Sequence, residues 1–171
     1  MKLEGEKIYL EPWKKDDRPF FVEWLSDAEV NHFTSGRSYT MEEEVEWFNW
    51  VQDSKDEEVF SVFLKNSNEI IGNCALHLNQ KRKDGYQGKN FIGLLIGKKS
   101  EWGKGYGTDT VKTLLSYVKN KADQKTIYLT VFIENIGAIK CYQKCGFRIL
   151  EKRDSPERPG VEEYVMKVNL N

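Results

Sequence analysis

At 171 residues the chain is long enough for one domain that buries roughly two-thirds of the surface its unfolded form exposes. A composition of 39% hydrophobic and 31% charged residues excludes a protein that is mainly disordered. With 26 Lys and Arg against 27 Asp and Glu the net charge is -1, which excludes a general nucleic-acid binder with a basic face but leaves room for a local acidic groove.

The start, MKLEGEKIYLEPW, holds no apolar core of signal-peptide length. The longest apolar run, FIGLLIG, is far short of the ~20 residues of a membrane helix, so no membrane segment is expected. Cys74, Cys141 and Cys145 form an odd set without zinc-ligand spacing. They read as buried or half-buried thiols in a reducing, cytoplasmic setting, with no metal.

In chain order, KIYLEPW is predicted as a first strand ended by Pro12. A helix follows in DDRPFFVEWLSD, with Asp16 or Asp17 as N-cap, Pro19 in the first turn, and Phe20, Phe21, Trp24 and Leu25 as its apolar stripe. After the loop SGRS, Thr40 with Glu43 three residues on predicts a capping box and a second helix to about Gln52. Val59–Lys65 and Ile70–Leu78, joined by the turn NSNE, predict an antiparallel hairpin. His77 falls on the polar side of the second of these strands, with Asn73 and Ala75.

A polar loop, NQKRKDGYQGKN, leads to FIGLLIG, a continuous apolar strand of the kind buried on both faces. A glycine loop and a helix to about Lys121 come next, then the strand TIYLTVF and a helix capped by Asn135 that runs to Cys145. GFRILEK and VEEYVMKVNL close the chain as strands around the loop RDSPERPG. The order β-α-α-β-β-β-α-β-α-β-β predicts one α+β, or mixed α/β, sheet domain over residues 1–171.

The glycine loop carries the chemistry. SEWGKGYGT places Gly103, Gly105 and Gly107 at alternate positions directly ahead of a helix. Glycine admits positive φ and close approach to the main chain, and a helix N-terminus leaves amides unpaired at its partly positive end. Together they suit a phosphate or another anion. A P-loop needs G-x-x-x-x-G-K-[ST], which is absent. A dinucleotide fold needs a later third glycine and an acidic residue ~20 positions on, where Ile127, Tyr128 and Leu129 stand. A plain tight turn from strand to helix remains the structural alternative.

A second motif shifts the balance. In NIGAIKCYQKCGF, the spacing of Asn135, Ala138, Tyr142, Gly146 and Phe147, taken with the upstream G-x-G-x-G-T loop, resembles the GNAT superfamily of acetyl-CoA-dependent N-acetyltransferases. The tail from Ala138 is similar to the branches that acetylate ribosomal-protein N-termini and the 6′ amine of aminoglycosides. The resemblance implies a mostly antiparallel sheet, splayed between its fourth and fifth strands, with helices on both faces. It implies acetyl-CoA as co-substrate, with its pyrophosphate on the amides of Trp102, Gly103, Lys104, Gly105, Tyr106, Gly107 and Thr108, consistent with an anion nest. Trp102 stands where the family usually has Gln or Arg.

The resemblance also implies that the pantetheine arm pairs with FIGLLIG, that Asn135 touches the coenzyme, and that Tyr142 gives a proton to the departing thiolate. Amides near Leu95 and Ile96 are candidates for stabilising the oxyanion. Gly93 and Gly97 serve either close ligand approach or packing, and Tyr142 can equally be a core aromatic. Phe91 occupies the position where many relatives carry a catalytic glutamate, which leaves Glu134, His77 or a water chain to take the amine's proton. The first two helices wall the acceptor site in the family. Glu42, Glu46, Trp47 and Trp50 are therefore the substrate-side candidates, as an acidic, aromatic groove or as a solvated helix face. The acceptor expected is a protein N-terminal amine, with an aminoglycoside, a polyamine or a non-catalytic coenzyme-A-binding role as alternatives, and a homodimer is compatible with the family.

Overall fold

A computed structural model describes residues 1–121 and 125–171. Its strands are β1 (Leu3–Glu4), β2 (Ile8–Pro12), β3 (Glu57–Leu64), β4 (Ile70–His77), β5 (Asn90–Ile96), β6 (Thr126–Phe132), β7 (Arg148–Asp154) and β8 (Glu162–Asn169). The helices are α1 (Arg18–Ser26), α2 (Ala28–Asn31), α3 (Met41–Asp53), α4 (Tyr106–Lys121) and α5 (Ile136–Lys144). All strands join one eight-stranded sheet in the order β1-β2-β3-β4-β5-β6-β8-β7. Every neighbouring pair is antiparallel except β5 and β6.

That parallel pair is also where the sheet opens. β5 and β6 are bridged only at Asn90–Ile127 and Phe91–Tyr128, and beyond Phe91 the two strands part. The predicted splay is therefore present. Strand alternation sends Ile92, Leu94, Ile127, Leu129 and Val131 to one face, where Val111, Leu114 and Val118 of α4 and Ile139 and Tyr142 of α5 cover them. The other face packs Val59, Ile70, Ala75 and Leu95 against Phe21 and Trp24 of α1, Val30 of α2 and Val51 of α3.

Local signals account for most of these elements. Thr40 Oγ1 accepts from the Glu43 amide at 3.2 Å while Glu43 Oε2 accepts from the Thr40 amide at 2.8 Å, the predicted capping box. Asn135 Oδ1 accepts from the Ala138 amide at 3.2 Å and caps α5. The expected side-chain N-cap of α1 is not made. Asp17 Oδ2 instead accepts from the Lys14 amide at 3.0 Å and from Ser61 Oγ at 2.7 Å, because the β3 hydroxyl is a buried donor within reach. β1 and α2 were not expected; both are too short to carry a periodic signal. Asp109, on α4, holds the entry to β2 by accepting from the amides of Glu6, Lys7 and Ile8 at 2.7–3.1 Å.

Glu44 on α3 has a pH-dependent cost. It is only 4% exposed and its Oε1 has no hydrogen-bond partner. Burial pushes its carboxyl up to about 7, against an opposing pull from Arg18. A folded-state value above the unfolded one means the folded chain binds this proton more tightly. The stability it brings is present below the usual carboxylate range and lost as pH rises through about 7. Glu44→Gln should therefore stabilise the protein by about 1–3 kcal/mol at pH 8 and by almost nothing at pH 4. Thermal melts at both pH values check this, and equal shifts at both would refute it.

Candidate active site

The glycine loop forms a cradle. Gly103 and Gly105 have φ of +73° and +85°, and a Cβ at either would meet nothing within 4 Å. The helix starts earlier than the sequence suggests, at Tyr106, and its first intrahelical bond runs from the Asp109 amide to the Gly105 carbonyl at 3.1 Å. The amides of Tyr106, Gly107 and Thr108 therefore lie ahead of that bond, at the partly positive end of α4. Open space in front of bare, positive-φ backbone and a helix terminus fits a pyrophosphate. Lys104 at the rim is paired with Glu101 at 3.1 Å.

The cradle opens onto the parted strands. A Cβ on Gly107 would lie 3.4 Å from Leu94 of β5 and 3.5 Å from Cys141 of α5, so the first turn of α4 touches an element from each side of the cleft. The Gly97 amide bonds the Ile71 carbonyl, and the β4–β5 register runs without a shift. By alternation the main-chain groups of Leu95 therefore face β4, while those of Leu94 and Ile96 face the open edge. Of the two amides named from sequence, only that of Ile96 faces the cleft, joined by that of Leu94. Trp102 closes this end, its indole N–H donating to the Ile96 carbonyl at 2.6 Å. Gly97 is a packing residue. A Cβ there would sit 2.1 Å from the ring of Trp24.

Tyr142 is 6% exposed and stacks edge-on with Phe147 at 6.0 Å. Burial, with Cys141 and Cys145 beside it, raises its phenol well above the ordinary tyrosine range. The ring thus holds its proton at neutral pH, and its hydroxyl makes no hydrogen bond to a described residue, so a bound group can receive one. The two cysteines clasp α4: Thr108 Oγ1 donates to Cys141 Sγ at 3.5 Å, and Cys145 Sγ donates to the Thr108 carbonyl at 3.6 Å. Asn135 spends its side-chain oxygen on the helix cap.

The remaining candidates do not converge. Glu134 lies just past the end of β6, its side chain 76% exposed and 3.8 Å from His32. It borders a cavity of about 160 Å³ that His32, Phe33, Phe132, Arg158 and Glu162 also line. Arg158 is fixed there, donating to the carbonyls of His32 and Thr34 at 2.6 and 3.3 Å with its guanidinium 5.1 Å from the Phe132 ring. On α3, Trp47 packs on Trp13 at 4.7 Å in the core beneath the helix, and Glu42, Glu46 and Trp50 are exposed. His77 lies on the α1–α3 face of the sheet, hydrogen-bonded through Nδ1 to Glu57. Sequence reasoning missed the pairing of Glu57 with His77 and missed Arg158 altogether, because these rest on partners 20 and more than 120 residues away.

A sheet parted between two parallel strands, with a bare helix N-terminus at the opening, suits an extended, phosphate-bearing ligand. Residues 7–148 match the model of the acetyltransferase (GNAT) domain family, and the chain belongs to that family. It is 24% identical over 98% of its length to an uncharacterised Methanocaldococcus jannaschii protein, but spans only 32% of that longer chain. It is also 24% identical to the Drosophila melanogaster alpha/beta-tubulin-N-acetyltransferase 9, over 89% of this chain and 80% of that one. A Vibrio cholerae spermidine N-acetyltransferase, solved with CoA and spermine, superposes with a TM-score of 0.81 at 18% identity, covering 96% of each chain. Among the described residues, no helix is long and apolar enough to cross a membrane.

Proposed function

We propose that this domain moves the acetyl group of acetyl-CoA directly onto a primary amine, and that the amine is the N-terminus of a polypeptide. The cradle at Gly103–Thr108 holds the pyrophosphate, the Leu94 and Ile96 amides face the acyl arm, and Tyr142 protonates the departing thiolate. Direct attack needs chiefly orientation, worth up to about 7–11 kcal/mol in ideal cases. The parted strands supply it by holding one reactant along the β5 edge while the other enters from the α1–α3 face.

The cavity at the end of β6 carries the acceptor reading. It holds about 160 Å³, its walls include Phe33 and Phe132, and a fixed guanidinium stands in it. Such a slot accepts one amine on a slim, partly apolar chain. Arg158 sets one positive charge on its wall, facing the carboxylates of Glu134 and Glu162. The likeness to a tubulin N-acetyltransferase agrees with a polypeptide acceptor.

A polyamine is the second reading, favoured by the spermidine N-acetyltransferase that shares the fold and by the exposed Glu134 and Glu162 at the cavity. Thiol release from acetyl-CoA should be fastest with a peptide bearing a free N-terminus and abolished when that terminus is already acetylated. Faster release with spermidine or kanamycin, or unchanged release with the blocked peptide, would overturn the polypeptide reading.

A further inference from the structure

Glu57, at the start of β3, is buried, yet both its carboxylate oxygens are engaged by side chains of the neighbouring strand and its loop. Gln80 Nε2 donates to Oε1 at 2.8 Å, and His77 Nδ1 meets Oε2. An ionised carboxylate only accepts, so the imidazole carries a proton on Nδ1, and in its neutral form the lone pair is on Nε2. That nitrogen faces Gly93: a Cβ built there would be 3.5 Å from Nε2 and 4.0 Å from the Ala75 methyl. Glycine leaves the spot bare, and His77 is 30% exposed on its side chain, so the niche is open.

The niche also lies beside the point where β5 and β6 part. Gly93 follows the last bridged pair of β5 and β6 by two residues and precedes the Leu94 and Ile96 amides of the open edge. It is on the α1–α3 face, opposite the face that α4 and α5 cover. The residue across from His77 is Phe91, which cannot take a proton. Glu134 stands at the outer cavity instead.

We infer that His77 takes the acceptor amine's proton on Nε2, and that Glu57 is the positioning residue that aims it over Gly93. This rests on the acetyl-transfer reading above. The ammonium nitrogen gives up two protons in all. One passes to His77 Nε2, freeing the lone pair that forms the C–N bond to the acyl carbon as the C–S bond breaks. The other restores the proton that Tyr142 gives to the sulfur. A carboxylate behind the imidazole fixes its tautomer and stabilises the cation it becomes.

Two measurements test this independently. The chain has two histidines, so long-range ¹H–¹⁵N spectra, with His32→Ala for assignment, read the His77 tautomer directly. We expect Nδ1–H in the neutral ring of the full chain and a mixture in Glu57→Gln; an Nε2–H ring in the unmutated chain would overturn the proposal. In turnover on a peptide with a free N-terminus, or on spermidine if the peptide is inert, His77→Gln should lower kcat about 100-fold or more. Glu57→Gln should cost about tenfold or more, with KM for acetyl-CoA within about threefold in both. A kcat within about threefold of wild type for His77→Gln would overturn it. Calorimetry on the unmutated chain separates the two readings: absent binding of acetyl-CoA refutes the acetyl-transfer reading, while the tautomer still decides the Glu57–His77 pair.

Discussion

Tyr142→Phe should lower turnover by about 10²–10⁴-fold while acetyl-CoA affinity stays within a few-fold of wild type. Its packing makes the variant clean. Tyr142 is held by Phe147 and by the core under α5, and its hydroxyl has no described protein partner whose loss would unsettle the fold. Removing the oxygen leaves the ring contacts intact and removes one proton. Burial keeps that proton in place at neutral pH, so the loss falls on the step in which the thiolate leaves. Single-turnover rates with saturating acetyl-CoA, alongside calorimetric affinity, isolate that step. A wild-type single-turnover rate would return Tyr142 to a purely structural role.

Gly105→Asp should abolish measurable acetyl-CoA binding and barely disturb the fold. At φ +85° any side chain is strained, but aspartate tolerates this region better than most, and a Cβ there meets nothing within 4 Å. The cost to stability is therefore about 1 kcal/mol. The cost to binding is larger, because a carboxylate would project beside the unpaired amides at the start of α4, where the reading puts a pyrophosphate. Gly105→Asn separates the causes, since it has the same backbone strain and similar volume without the charge. Affinity should fall steeply for Asp and modestly for Asn in calorimetry at low ionic strength. Equal affinities in both variants and wild type would remove this loop from the cofactor site.

The parts of the site legible in the sequence are those built from neighbours along the chain. The glycine spacing at 103, 105 and 107 announced bare backbone ahead of a helix, and two of the three glycines do have positive φ. The expected helix start was late because Tyr106 and Gly107 carry no capping signal of their own; the Asp109–Gly105 bond begins the helix, and glycine at its first turn is tolerated there. The α3 candidates misled in part for a similar reason. Trp47 and Trp50 are three residues apart, but a rotation of α3 on the sheet puts Trp47 against Trp13 and leaves Trp50 at 55% exposure. Hydrophobic pattern predicts that a helix has a buried side, not which aromatic at its margin is covered.

By itself the sequence determined the element order, the Thr40 and Asn135 caps, the hairpin of β3 and β4, and the paired glycine and Asn135–Phe147 motifs that mark the family. Each depends on φ preferences, on hydrogen bonds spanning three or four residues, or on a period of two or 3.6. Tertiary structure alone decided which β5 amides face the cleft, that Gly97 admits the ring of Trp24, and that Arg158 stands in the cavity at the end of β6. It also set Glu57 directly opposite His77 on the neighbouring strand. These follow from pairing register and helix docking, where a slip of one residue sends every side chain to the opposite face. The chain's local chemistry is compatible with either face, and only the packed sheet selects one.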